Sequence, residues 1–178
     1  MNNRQTTLVL GALLLIAPAA HAIEFSQFQP AKSSLSFVSK QMNVPVDGRF
    51  KSFRSKLAFD PAKPAAAKAE LEIDLASIDA GSREANDEVA TKAWFNTKDF
   101  PVAKFVSTAV KSLGGNRYEV AGKMSIKGKT LDLAAPLTVT QEGNSASFDG
   151  ALVFKRADFG TVANEVQIKF RIVATAAK

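Results

Sequence analysis

From residue 33 onward the dominant pattern is strict alternation of apolar and polar positions. In KAELEIDL (68–75), Ala69, Leu71, Ile73 and Leu75 share one face while Lys68, Glu70, Glu72 and Asp74 share the other. TLDLAAPLTV (130–139) places Leu131, Leu133, Ala135, Leu137 and Val139 together, and SFDGALVF (147–154) does the same for Phe148, Gly150, Leu152 and Phe154. VQIKFRIVA (166–174) sets Val166, Ile168, Phe170, Ile172 and Ala174 against Gln167, Lys169 and Arg171. Period two is the signature of a strand with one buried and one wet face, which is the habit of antiparallel sheets. Weaker alternation covers 33–40, 46–59, 103–111 and 117–126. Phe50 and Phe53 are out of step by one residue, which predicts a bulge or bend between Gly48 and Arg54.

Turn signals separate these segments at Asp60-Pro61, Gly114-Gly115-Asn116, Lys127-Gly128-Lys129 and Glu142-Gly143-Asn144. One helix interrupts them, over about 83–94. Ser82 is placed to cap it, Glu84, Asp87 and Glu88 fall near its positive end, and Val89 and Ala93 make its apolar pair beside Trp94. About eight one-sided strands and a single helix predict an all-β fold, a closed barrel or a two-sheet sandwich. Alternation alone does not choose between them. An eight-stranded barrel is either filled by its own side chains or wide enough for one small ligand.

Composition changes the picture in three ways. The chain opens MNNRQTTLVLGALLLIAPAAHA, with Arg4 ahead of a short apolar run and Ala20-His21-Ala22 as a small-residue cleavage signal. The apolar run is shorter than the ~20 residues that span a bilayer. Residues 1–22 are therefore expected to be an exported leader cut after Ala22, leaving one domain over 23–178 in a bacterial periplasm. Second, the chain has no cysteine, and its one histidine, His21, lies in the leader. The mature chain thus lacks the residues of Ser-His-Asp and Cys-His nucleophile systems and of the common zinc, copper and haem sites. No Ser-x-x-Lys spacing occurs either. Third, removing Arg4 takes one from 23 basic residues against 17 acidic, a mature charge of about +5. The lysines and arginines are scattered without a block of five, and export argues against nucleic acid as a partner. What remains is a solvated basic surface with transient attraction to anionic membranes.

Candidate chemistry is correspondingly sparse. The chain carries thirteen Phe against one Tyr and one Trp, so its aromatic bulk has few polar handles. Phe37, Phe50, Phe53, Phe59, Phe105, Phe148, Phe154 and Phe170 sit in or beside alternating strands, where they fill an ordinary core or line a cavity. Leu71 and Ile73 share the inward face of their strand. In WFNTKDFPVAKF (94–105), Trp94, Phe95, Phe100 and Phe105 surround Pro101 after the helix, as a junction packed on the barrel end that also walls its mouth. Asp79, Glu84, Asp87 and Glu88 do not match an EF-hand, and the helix dipole accounts for three of them, so no metal is expected. Arg156 and Asp158 in FKRADFG lie two apart on a strand end, and Lys127 and Lys129 flank a turn. These are surface pairs, or else Arg156 or a lysine near the mouth holds a ligand's polar end.

The segments SSLSFVSKQMNVPVDGRFKSF (33–53), LAFDP (57–61), IDLASIDAGS (73–82), WFNTKDFPVAKFVST (94–108), YEVAGKMSIKGKT (118–130) and FKRADFG (154–160), in this order, resemble the YceI-like family over nearly the whole mature chain. The resemblance implies a lipocalin-like antiparallel barrel around an elongated apolar cavity. It also implies a non-catalytic bacterial binder, often periplasmic, of isoprenoid or other long-chain lipids such as quinones, without a cofactor; a dimer is compatible with it. Two departures stand out. Many members carry histidines near the first strand and in the helix, whereas 32–40 and 86–89 have none here. Many also have a longer Trp- and Gly-containing connection after the FG motif, whereas Phe159-Gly160 runs directly through 161–164 into the last strand. The rival readings are a stress-related structural or interaction protein with a filled core and, with less support, an isoprenoid-modifying enzyme, which needs carboxylates converging inside the barrel.

N-terminal sequencing of protein recovered from the periplasmic fraction is expected to begin at Ile23. A retained leader, or recovery only from the cytosol, would overturn the export assignment.

Overall fold

The computed structural model describes residues 23–41, 44–161 and 165–177. The expected leader over 1–22, with its expected cleavage point, and residues 162–164 of the last connection lie outside the described residues. The alternating segments all become strands, beginning with β2 (Ser34–Gln41), β3 (Val44–Phe50), β4 (Phe53–Ala58) and β5 (Lys68–Asp74), and two short strands join them, β1 (Phe25–Phe28) and β6 (Ile78–Asp79). After helix α1 (Arg83–Ala90) come β7 (Val102–Gly114), β8 (Arg117–Ile126), β9 (Lys129–Glu142), β10 (Ser145–Lys155) and β11 (Glu165–Ala176).

The strands form one antiparallel sheet in the order β4-β5-β7-β8-β9-β10-β11-β2-β3-β6. At one end lies β4 and at the other β3, extended only by the two-residue β6; β3 and β4 are halves of one bent strand separated only by Lys51 and Ser52. Before the bend this strand pairs with β2, from Leu35 opposite Phe50 to Gln41 opposite Val44. After it, the strand pairs with β5, from Phe53 opposite Ile73 to Ala58 opposite Lys68. Changing partners across the bend closes the sheet on itself, so the fold is an antiparallel barrel and not a sandwich. Counting the bent strand once, eight strands run round it: β2, β3–β4, β5, β7, β8, β9, β10 and β11. Closure gives a partner to backbone groups that an open sheet would leave at its edges.

The bend is held by its neighbours. Lys51 N donates to Ser77 O (3.1 Å), Ser52 N to Ser77 Oγ (3.0 Å), and Asp74 N to Ser52 O (3.1 Å). Below it, where β4 has left β2, the unpredicted strand β1 fills the seam. It pairs with β11, and Phe25 exchanges backbone hydrogen bonds with Phe59 (2.9 and 3.2 Å). Phe25 is completely buried as a result.

Two local expectations are corrected. Helix α1 ends at Ala90, one turn early, because Thr91 is extended and its N–H closes onto Glu88 O. Trp94 and Phe95 therefore lie in the following turns, where Phe95 N donates to Val89 O at 3.0 Å. Ser82 does cap the helix, its Oγ accepting from Ala85 N (3.1 Å). Arg156 and Asp158 are not on a strand end: Arg156–Phe159 is a 3-10 turn closed by Gly160 N on Ala157 O. That turn drives Phe159 into the core.

The core is two clusters. One, beneath the helix, holds Leu35, Leu75 and Phe159, each at most 2% exposed; the other, at the opposite end, gathers Phe25, Phe59, Tyr118 and Phe148. Phe159→Ala is expected to cost about 3–5 kcal/mol in chemical denaturation, as for other buried aromatics. Val153→Thr, at a side chain pointing outward and 56% exposed, is expected to stay within about 0.5 kcal/mol of wild type.

Candidate ligand cavity

Because successive side chains of a strand alternate between faces, a closed barrel collects one apolar row from each strand on its axis. Here the rows do not meet. A cavity of about 260 Å³ runs between the two core clusters, from Val89, Trp94 and Arg156 at the helix end to Phe59, Tyr118 and Phe148 at the other. Phe105, Phe154, Ile168 and Phe170 all point inward yet are only half-buried. Their remaining accessible surface is what they show to the lumen.

The far end is an aromatic floor. The Phe59 ring stands edge-on to Tyr118 (5.4 Å) and to Phe148 (5.1 Å), the geometry that aromatic quadrupoles favour. Along one side, five consecutive residues from Ala67 to Leu71 border the cavity, so main chain as well as side chains form the wall there. The β5–β7 ladder stops at Glu70 opposite Val106, after which Ser107 Oγ accepts from Ala69 N at 2.8 Å.

The mouth is built by the helix and the turns after it. Asn86 Oδ1 accepts from Ala80 N (2.7 Å), holding the helix to the chain that leads into it. Val89 and Phe95 pack on the upper core cluster, and Trp94 Nε1 donates to Glu88 Oε1 (3.0 Å). Lys127, from the β8–β9 turn, donates to Lys92 O (2.6 Å) and Gly160 O (3.0 Å), strapping together the segment after the helix and the 3-10 turn. It is therefore committed to carbonyls, whereas Arg156 lines the cavity itself. The Arg156 guanidinium lies 4.5 Å from the centroid of the Trp94 ring, a cation–π contact. Among the described residues it forms no ion pair, and its Nε is buried without a hydrogen-bond partner. Burial pushes its pKa down, although an arginine stays charged.

Of the residues singled out from sequence, Phe37, Phe50, Phe59, Leu71, Ile73, Trp94, Phe95, Phe105, Phe148, Phe154, Phe170 and Arg156 lie on the cavity wall. Phe53 and Phe100 do not. Phe53 follows the bend and packs 5.9 Å from Phe28, filling the seam under β1. Phe100 is turned by Pro101 onto the β8–β9 turn, where its ring covers Gly128. The wall also contains Leu133, Leu137, Leu152, Ile168, Ile172 and Tyr118, which the aromatic count passed over. Five of the six were already marked by inward parity in their strands. Three of the four acidic residues of the supposed cluster have separate partners: Asp79 pairs with Lys51 (3.2 Å) and Arg49 (3.3 Å), Asp87 with Arg83 (3.8 Å), and Glu88 with Trp94. The Asp79 carboxyl is held below the usual aspartate range, first by the Lys51 hydrogen bond and then by Gly81 N–H.

A closed antiparallel barrel with an apolar lumen, capped at one end by a helix, is a lipocalin-like barrel. Within that class the chain belongs to the YceI-like domain family, which matches residues 27–174. It is 47% identical to BcnA of Burkholderia cenocepacia, whose crystal structure superposes with a TM-score of 0.81 over 84% of this chain and 100% of that one. A polyisoprenoid binding domain from Saccharophagus degradans, implicated in plant cell wall breakdown, shares the fold at 19% identity (TM-score 0.69, 87% of this chain and 99% of that one). A UPF0312 protein of Shewanella denitrificans is 32% identical over 85% of this chain and 84% of its own length.

An uncompensated, partly desolvated cation is a burden on the fold unless something pairs with it. Arg156→Met keeps apolar contact with Trp94 and removes that burden, so the variant is expected to melt at or above the wild-type temperature. A clear drop in melting temperature would show Arg156 to be structural.

Proposed function

We propose that this protein is a non-catalytic periplasmic carrier that encloses the tail of an isoprenoid lipid, a quinone being the simplest candidate. The observation that carries the proposal is the apolar lumen between two packed ends. A filled-core interaction protein would have interlocking rows in its place. The description of the Saccharophagus neighbour as a polyisoprenoid binding domain supports the same ligand class.

The energetics suffice without any reacting group. Burying each CH₂ is worth roughly 0.8 kcal/mol, so a chain of ~15 carbons supplies ~12 kcal/mol before the costs of association. Micromolar binding needs about 8 kcal/mol net. At the mouth, the Arg156 guanidinium presents its positive charge to an oxygen of the headgroup, while the rest of the head stays in water. An enzymatic role lacks the residues it would need. Of the two acidic residues bordering the cavity, Glu70 pairs on the outside with Lys104 (3.3 Å) and Glu88 is engaged by Trp94 at the rim. The basic excess of the mature chain favours brief contact with anionic membrane surfaces, where lipid is collected and released.

Organic extraction of protein purified from its native periplasm, followed by mass spectrometry, is expected to return an isoprenoid lipid at about one per chain. Repeatedly empty extracts from well-folded protein would sink the carrier reading. In calorimetric titration with a short-tailed ubiquinone, Arg156→Met is expected to bind about tenfold more weakly, the loss of one charged hydrogen bond. Unchanged affinity would remove Arg156 from the headgroup site.

A further inference from the structure

A barrel this rich in phenylalanine has every means to fill itself, and the glycines show why it does not. Of the ten glycines, one is in the leader and six (Gly81, Gly114, Gly115, Gly128, Gly143 and Gly160) adopt positive φ. The remaining three, Gly48, Gly122 and Gly150, lie inside strands with ordinary backbone, so conformation does not demand glycine there. Space does. A Cβ at Gly48 would lie 2.1 Å from Phe37 Cζ, one at Gly122 would lie 2.5 Å from Phe105 Cζ, and one at Gly150 would lie 2.4 Å from Phe170 Cζ. Each ring comes from the adjacent strand: Phe37 is directly opposite Gly48 and Phe170 directly opposite Gly150, while Phe105 reaches Gly122 on the diagonal. All three phenylalanines border the same cavity.

We propose that Gly48, Gly122 and Gly150 are specificity-determining positions that set the calibre of the lumen, by letting Phe37, Phe105 and Phe170 lie down against the wall. A side chain at any of these positions occupies the place of the ring and turns it toward the axis. Strand glycines of this kind mark close approach, and an aromatic side chain laid over them replaces the missing packing. The pairs span β7–β8, β10–β11 and β2–β3, the last two contiguous through the β11–β2 ladder, so together they line much of the channel around a slender, flexible chain. A polyprenyl or acyl tail fits this description, whereas a rigid fused-ring ligand does not. The ligand class rests on the carrier reading; the calibre of the lumen does not.

Two probes separate these claims: xenon titration followed by NMR reads the empty lumen, and binding of parinaric acid, a linear polyene, reads occupancy by a chain. Gly150→Ala is expected to reduce xenon uptake and to weaken parinaric acid about tenfold or more, the scale of overpacking one methyl group. Gly150→Ala combined with Phe170→Leu is expected to restore both. A folded Gly150→Ala protein with wild-type xenon uptake overturns the proposal, as does a double variant no better than the single. A Cβ at each site also meets a backbone oxygen, Asp79 O at 2.7 Å from Gly48, Val106 O at 2.4 Å from Gly122 and Pro136 O at 2.7 Å from Gly150, so the single variant has a second reason to misfold. Phe170→Leu alone then decides: it is expected to take up more xenon and to admit retinol, a ring-bearing isoprenoid, more tightly than wild type, and no gain in either overturns the proposal. Wild-type protein that takes up xenon but no parinaric acid defeats the carrier reading and leaves the calibre assignment standing.

Discussion

The structure depends on one strand serving two partners. A sheet of one-sided strands has an apolar face to hide and two edges of unpaired backbone to satisfy. Curling hides the face, but the edges disappear only if the last strand reaches the first. Here the reach is made within a single strand, which leaves β2 at Phe50 and takes up β5 at Phe53. The two residues between, Lys51 and Ser52, give up ladder pairing and are recompensed by Ser77 and Asp74. Without this turn the inward rows would have no common axis and there would be no lumen to line.

Closure creates an interior, and packing decides whether it is full. Toward both ends it fills: Phe159 and Leu75 pack beneath the helix beside the mouth, and Phe25 with the Phe59–Tyr118–Phe148 group closes the floor. Between them the rings of Phe37, Phe105 and Phe170 lie over glycines and leave the axis free. Open apolar volume is unfavourable for an isolated fold, since its lining forfeits dispersion contacts. The unpaired Arg156 at the mouth is a second such liability. Both fall in one place, and the guest proposed above, a long tail with an oxygen at its end, would relieve both.

Much of this was legible in the residues. The inward rows of β5, β9, β10 and β11 follow their alternation, the one-residue slip between Phe50 and Phe53 marks the bend, and Ser82 caps the helix. Other features were hidden for identifiable reasons. Strand β1 has only four residues, too few for a period to register, and it exists because a seam needs filling. The helix loses its last turn to the extended Thr91, although good helix formers continue beyond it. Phe53 has the parity of Ser55 and Leu57, which reach the lumen, but the seam beside the bend claims its ring. Tyr118 lies on a strand whose alternation is weak, and only the packing of its ring against Phe59 shows that the floor requires it.

The family resemblance and the residues that carry it were present in the chain as written, as were the basic charge, the absence of cysteine and the absence of histidine after His21. So was the inventory of one-sided strands, because alternation and turn chemistry are local properties that any short window reveals. Barrel against sandwich, lumen against filled core, and the pairing of particular rings with particular glycines were decided only when the chain met itself. Those outcomes depend on register between strands and on the volume left between facing rows. Such quantities are differences between distant segments, and no stretch of sequence contains them alone.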